Sequence, residues 1–174
     1  MGSKVLMSVD EYLHTSFEGP DCEYLDGEVV ERNVGELPHS TAQRRLIVLL
    51  DRIAATTGLQ IQPEIRVRIS SSRYRVPDIG VWRAGEIGSR IPERAPFLVI
   101  EILSPDDRVV RVQPKIAEYL AIGVEYVWLV DPEERRAICY SASEPAGKLS
   151  DVLATNDPDI QISLTKLFSV YKNF

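Results

Sequence analysis

Cysteine and histidine are scarce in this chain, with two of each in 174 residues. Cys22 and Cys139 are too few for a disulfide framework, so two reduced thiols are expected. Neither stands at metal-ligand spacing from His14 or His39, which argues against a zinc site. Lysine is also rare, five residues against fifteen arginines, and Lys115 is the sole lysine between Lys4 and Lys148. No apolar run approaches the roughly 18 residues of a membrane span. The first residues, Met1-Gly2-Ser3-Lys4, lack the apolar stretch of a signal peptide. A cytoplasmic protein without membrane contact is therefore expected. Also missing are a glycine-rich phosphate loop, a nucleophile elbow and a paired-histidine metal motif, which removes the function classes those motifs serve. There are no repeats, low-complexity segments or linkers.

Hydrophobic residues make up 44% of the chain, enough for a packed core, and the length fits one domain over residues 1–174. The formal charge of −6 speaks against a protein that coats nucleic acid without specificity. It leaves room for an enzyme that sets a local basic strip beside an acidic site.

The elements follow from pattern. Ser8–Leu13 reads as a short helix with Asp10 and Glu11 in its first turn. Asp26-Gly27 joins Glu23–Leu25 to Glu28–Arg32 as a hairpin, since glycine accepts positive φ. Ser40 and Gln43 form a capping-box pattern. Behind them Ala42, Leu46, Leu49, Leu50 and Ile53 recur at helical spacing up to Gly58, predicting a helix over about 40–57. Ile61–Ile69 and Arg75–Trp82 read as strands around a turn at Ser70–Arg73. Pro96–Leu103, nearly all apolar, has the look of a strand buried on both faces. Pro114 fits the first position of a helix that runs to about Ile122. Glu125–Val130 and Ala137–Ser141 form the next strands, and the tail from Gly147 adds a strand and a short helix. This order predicts an α/β or α+β fold with a mixed central β-sheet flanked by helices. Trp82 and Trp128 are expected in the core or an interface.

The most informative stretch for chemistry is residues 76–115. Glu101 interrupts the apolar strand and shares a face with Val99 and Leu103. An acid there is costly unless compensated, by a metal or by one of the many arginines. Asp78 follows Pro77 and is either a metal ligand or a turn aspartate. Two buried carboxylates repel, and a divalent cation keeps both ionised; oxygen ligands suit magnesium or manganese. Lys115, in the first turn of its helix on this reading, opposes the helix dipole. It is either a point charge on a scissile phosphate or a solvated partner of Glu118. Glu23, at the start of a hairpin strand, is a third acid of the site or an exposed strand residue. His39, just before the helix cap, is an assisting base or a local hydrogen-bonding residue. Arg66, Arg68, Arg73 and Arg75, with Arg44, Arg45, Arg108 and Arg111, either grip phosphates or form a solvated surface.

At these residues the chain resembles the PD-(D/E)xK nuclease superfamily, and more narrowly the bacterial Uma-two family of restriction-endonuclease-like proteins. The resemblance rests on Glu23-Tyr24-Leu25-Asp26-Gly27-Glu28, His39 before the helix, Val76-Pro77-Asp78, and Val99 through Arg108 (Val-Ile-Glu-Ile-Leu-Ser-Pro-Asp-Asp-Arg). It continues with Lys115, Tyr119, Gly123-Val124 and Val127-Trp128-Leu129-Val130-Asp131-Pro132, covering about residues 8–141 and leaving a C-terminal extension. It implies a restriction-endonuclease-like fold and a metal site at Asp78 and Glu101 with Glu23 nearby. It also implies magnesium-dependent phosphodiester hydrolysis. The superfamily's lysine stands two residues after the strand acid, where this chain has Leu103; Lys115, on the following helix, matches the family's displaced lysine. The segment Val109–Gln113 is more apolar than the family's usual approach to that lysine.

The expectation is a metal-dependent endonuclease acting on nucleic acid, DNA above RNA, as a homodimer. Asp78 and Glu101 would hold Mg2+ (or Mn2+), Lys115 would stabilise the transition state, and Glu23 and His39 would support them. The alternative is a non-catalytic nuclease-fold protein that binds nucleic acid or a protein partner, its acids and lysine forming a buried ion network.

Overall fold

The computed structural model describes residues 6–33, 35–105 and 109–169, with side chains at all of these except 109–111. The expectations for Arg108 and for the Arg111 side chain lie outside the described residues.

The chain opens with helix α1 (Val9–His14), capped by Ser8 and Glu11 in a reciprocal capping box. The expected hairpin follows as β1 (Glu23–Leu25) and β2 (Glu28–Val30); Asp26 and Gly27 both take positive φ, 54° and 99°. Helix α2 (Leu37–Thr57) begins three residues before the expected Ser40. Pro38 in its first turn explains this, because proline lacks the N–H that the first turn cannot satisfy. Ser40 and Gln43 therefore lie inside the helix, and Glu36 caps it without a side-chain hydrogen bond. Gly58 ends it in the left-handed conformation, as expected.

The next two expected strands each break in two. Ile61–Ile69 divides into β3 (Gln60–Pro63) and β4 (Val67–Ser70), with Glu64 between them at φ 51°. The return divides into β5 (Arg73–Arg75) and β6 (Ile79–Trp82), and Val76-Pro77-Asp78 forms the crossing. Proline cannot donate to a ladder, so the strand stops there. The halves belong to different sheets. β2-β1-β5-β4 make a four-stranded sheet, whereas β3 and β6 enter the central six-stranded one.

The central sheet runs in the order β10 (Glu144–Ser150), β9 (Arg136–Ser141), β8 (Tyr126–Asp131), β7 (Leu98–Ile102), β6 and β3. Its middle strand β7 (Leu98–Ile102) runs antiparallel to β6 and parallel to β8 (Tyr126–Asp131). A parallel neighbour requires a crossover, supplied by α3 (Val109–Ala121). Pro114 sits within α3, not at its start. The apolar series Val112, Ile116 and Tyr119 spans the proline, and packing of that face holds the helix on both sides of it. Lys115 is consequently mid-helix, and the dipole penalty expected for a first-turn cation does not arise.

Alternation along β7 divides the core in two. Leu98, Ile100 and Ile102 face α2 together with Ile79, Val81, Trp128 and Val130. Val99 and Leu103 face α3 together with Val127 and Leu129. Beyond β9 (Arg136–Ser141), the tail contributes β10 (Glu144–Ser150), the hairpin β11 (Val152–Asn156) with β12 (Asp159–Ser163), and the expected short helix α4 (Leu164–Leu167). There are thus three strands where one was expected. Leu153, Ile160, Ile162, Leu164 and Leu167 close the α2 side of the core. Trp82 and Trp128 are fully buried, and both cysteines are free thiols. No described helix is long and apolar enough to cross a membrane.

Candidate active site

Where the chain crosses between its four-stranded and six-stranded sheets, a cleft of about 270 Å³ opens. Glu23, His39, Asp78, Glu101 and Lys115 all line it, although they are spread over 92 sequence positions, from 23 to 115. Arg32 and Arg75 line it as well. β1 brings Glu23, the β5–β6 crossing brings Asp78, β7 brings Glu101 and α3 brings Lys115. His39 comes from the first turn of α2, not from ahead of its cap.

Asp78 and Glu101 are joined through the backbone of β7. The Ile102 N–H donates to Asp78 Oδ2 at 2.7 Å, so the Asp78 carboxylate rests against the residue next to Glu101. On the other oxygen, Oδ1, Arg32 Nη2 donates at 2.7 Å and His39 Nε2 lies at 3.3 Å. Burial pushes the Asp78 carboxyl up, but His39, Arg32 and the Ile102 N–H outweigh it and hold the group below the usual aspartate range.

Glu101 behaves in the opposite way. Its Oε1 takes Lys115 Nζ at 3.0 Å and the Tyr119 hydroxyl, which donates at 2.7 Å. Burial drives its carboxyl up; Lys115 pulls it down, while Asp78 and Glu23 repel the charge, and the balance lies above the usual range. Glu23 Oε1 shares the same ammonium at 3.0 Å and accepts the Val76 N–H at 3.3 Å, while Oε2 accepts from Arg75 Nη1 at 2.7 Å. Burial raises Glu23, and Lys115 with Arg75 more than reverse that. Burial lowers Lys115, but Glu101 and Glu23 raise it further, so it is a fixed ammonium ion. Its pairing with Glu118 is not seen. Glu118 instead accepts from Arg75 Nε at 2.6 Å and Arg73 Nη1 at 2.5 Å.

Several arginines expected as phosphate grips are otherwise engaged. Arg66 makes a bidentate pair with Asp21 and donates to the Tyr12, Leu13 and Thr15 carbonyls. Arg73 and Arg75 are spent on acids, and Arg45 on the Lys166 and Leu167 carbonyls and Ser169 Oγ. Two residues that hold Asp78 escaped sequence reasoning. Arg32 ended a predicted hairpin strand and carried no other signal. Gln43 read as a cap, yet its Nε2 donates to the Asp78 carbonyl at 3.0 Å. Tyr119 stands four residues after Lys115, and that helical spacing was the legible sign that both face Glu101.

No group of three or more His, Cys, Asp or Glu side chains among the described residues is arranged to hold a metal ion. The donors present nevertheless suit a hard cation that keeps several waters. Both contacts of Glu101 fall on Oε1, leaving Oε2 as an oxygen donor, and Asp78 lines the same cleft. Magnesium is commonly held by one or two carboxylates together with water and substrate phosphate.

A family model described as "Uma2: Putative restriction endonuclease" matches residues 9–169. The chain belongs to this family. The Uma2 match takes in every cleft residue and extends through the C-terminal strands to the end of α4. A solved crystal structure of a putative nuclease belonging to DUF820, from Anabaena variabilis ATCC 29413, superimposes with a TM-score of 0.80. The superposition covers 94% of this chain and 98% of that one at 23% identity, a likeness that establishes a shared nuclease-like fold. No curated protein matches the chain. Within this Uma2 fold, the position two residues after the strand acid is Leu103, and the ammonium beside Glu101 arrives from α3 instead.

Proposed function

We propose that this Uma2 protein is a metal-dependent endonuclease that hydrolyses phosphodiester bonds in nucleic acid, with DNA as substrate. The observation that carries the proposal is the meeting of Asp78 and Glu101 through the Ile102 N–H, with the Lys115 ammonium 3.0 Å from Glu101. Asp78 and Glu101 would hold Mg2+ or Mn2+. Such an ion supplies charge neutralisation at phosphate and lowers the pKa of bound water.

The remaining roles belong to the chain itself. Lys115, permanently charged, aims a point charge into the cleft where a scissile phosphate gathers negative charge. Tyr119 holds Glu101 through Oε1, leaving Oε2 for the ion. Glu23 anchors Lys115, and Arg75 in turn anchors Glu23. His39 steadies Asp78 Oδ1. A homodimer follows from cutting both strands with one cleft per chain, and sedimentation velocity checks it.

Replacing Glu101 with Gln keeps the shape and the Tyr119 hydrogen bond but removes the charge. Magnesium-dependent cleavage of plasmid DNA should disappear; cleavage at the wild-type rate would end the assignment. A second reading has one observation in its favour. Glu23, Asp78 and Glu101 are already balanced by Arg32, Arg75 and Lys115, as in a closed ion network of a protein that binds nucleic acid or a partner without cutting. Calorimetry with Mg2+ or Mn2+ separates the two readings, because the network predicts no binding that depends on Asp78 and Glu101.

A further inference from the structure

Among the described residues, Arg32 is the one cleft cation to which the proposed hydrolysis gives no task. Its side chain is 12% exposed, and Nη2 donates to Asp78 Oδ1 at 2.7 Å. The other arm of the same guanidinium points elsewhere: Nη1 lies 4.0 Å from Glu64 Oε1. Glu64 sits between β3 and β4 at φ 51°, with its side chain 43% exposed at the rim. Its backbone N–H is 3.3 Å from the Asp78 carbonyl, and Gln43 Nε2, which holds that carbonyl, lies 3.5 Å from Glu64 Oε1. Arg32 thus reaches two carboxylates, one on the floor of the cleft and one at its edge.

Electrostatics makes this arrangement consequential. Three buried acids, Glu23, Asp78 and Glu101, face Arg32, Arg75 and Lys115, so these six charges balance as they stand. A divalent ion on Asp78 adds two positive charges beside a guanidinium that already occupies the same carboxylate. Both cannot remain there at full strength, because like charges a few ångströms apart in a desolvated cleft repel strongly. Lys115 is pinned between Glu23 and Glu101 and has no other acid among its contacts. Arg32 has one.

We propose that Arg32 is a positioning residue that stands in for the divalent cation on Asp78 and shifts its guanidinium to Glu64 when the metal binds. The inference rests on the reading of Asp78 as a metal ligand. Arg32 then keeps the acid ionised and in place before loading, at the expense of metal affinity. It also leaves the guanidinium at the cleft rim, next to entering phosphate, once the ion is in.

The test is titration of Mn2+ alone into the wild type and into Arg32→Gln, Arg32→Lys and Asp78→Asn variants, followed by calorimetry. Removing one charge-assisted hydrogen bond and one cation should tighten Mn2+ binding about tenfold in Arg32→Gln. Arg32→Lys, which keeps the charge, should stay near the wild type. Equal or weaker binding by Arg32→Gln overturns the inference. Asp78→Asn should bind no Mn2+; if it binds like the wild type, the metal-site reading itself fails, whatever Arg32 does. A measurement on the wild-type protein guards against a variant that does not fold. The Nε–H resonance of Arg32, identified by its loss in Arg32→Lys, should move on titration with diamagnetic Mg2+. A resonance that stays fixed while Mg2+ binds overturns the exchange.

Discussion

Lys115 serves two buried carboxylates at once, and that sharing decides what its loss would do. Glu23 and Glu101 each keep one other side-chain donor, Arg75 and Tyr119, but only Lys115 touches both acids. Lys115→Met leaves apolar bulk against two desolvated acids that repel each other. Breaking a buried pair by deleting one partner costs about 3–5 kcal/mol, and urea denaturation should show a loss of that order. Adding Glu101→Gln to the same variant removes one of the stranded charges and should recover part of the loss; no recovery would mean that the two groups are not coupled. Glu118 gives a cleaner case for pH. Burial raises its carboxyl, but hydrogen bonds from Arg75 and Arg73 outweigh that and hold it below the usual glutamate range. A depressed acid binds its proton less readily in the folded than in the unfolded chain. It therefore contributes stability above the ordinary glutamate pKa and loses it as pH falls through the lowered value. Glu118→Gln should cost about 1 kcal/mol near neutrality, after allowance for partial solvent screening. The gap to the wild type should close in acid, and a gap that widened in acid would reverse the assigned shift.

At the scale of elements, the strand that carries Glu101 was the most legible part of the chain. Its apolar run fixed both its burial and, by alternation, the side to which the acid points, and the structure sets Glu101 on the α3 face with Val99 and Leu103. The Asp26-Gly27 turn and the Gly58 cap were equally readable, because positive φ restricts the residues that can stand there. The exchange of strands between sheets was not. Glu64 takes φ 51° with no local residue signal for it, and two strands that each look continuous were read as continuous. Pro77 was the available hint. Its missing N–H separates β5 from β6 and delivers Asp78 to the junction, so the feature that marked the motif also explains the fold there. Arg32 was illegible for a different reason, since its partner Asp78 lies 46 positions away and no periodicity links them. β6 supports one further prediction. A Cβ on Gly80 would come within 2.6 Å of the Trp82 ring, which is fully buried and cannot turn aside. Gly80→Ala should cost about 1–3 kcal/mol by overpacking, visible as a lower denaturation midpoint; an unchanged midpoint would show that the ring has room to move.

The whole molecule spends much of its positive charge on itself. Arg32, Arg66, Arg73, Arg75, Arg83 and Arg136 all pair with acids of the same chain. A protein of formal charge −6 built in this way has few cations left for phosphates. Among the described residues, Arg44, Arg52, Arg68, Arg90, Lys148 and Lys166 are exposed and make no ion pair. Arg44 and Arg90 each border a depression that also includes Glu64, on the side of the cleft to which the second arm of Arg32 points. Among the described residues, nucleic acid entering the cleft would therefore meet a small number of cations at one rim and no broad basic face. Salt dependence measures that number, because each neutralised phosphate contributes about −0.9 to the slope of log K against log salt for a duplex. Two to four contacts predict a slope of about −2 to −4. Arg44→Gln should make the slope shallower by roughly 1 while weakening all sequences alike, as expected of a phosphate contact. A wild-type slope steeper than about −7 would require a basic surface that this arrangement of charges does not provide.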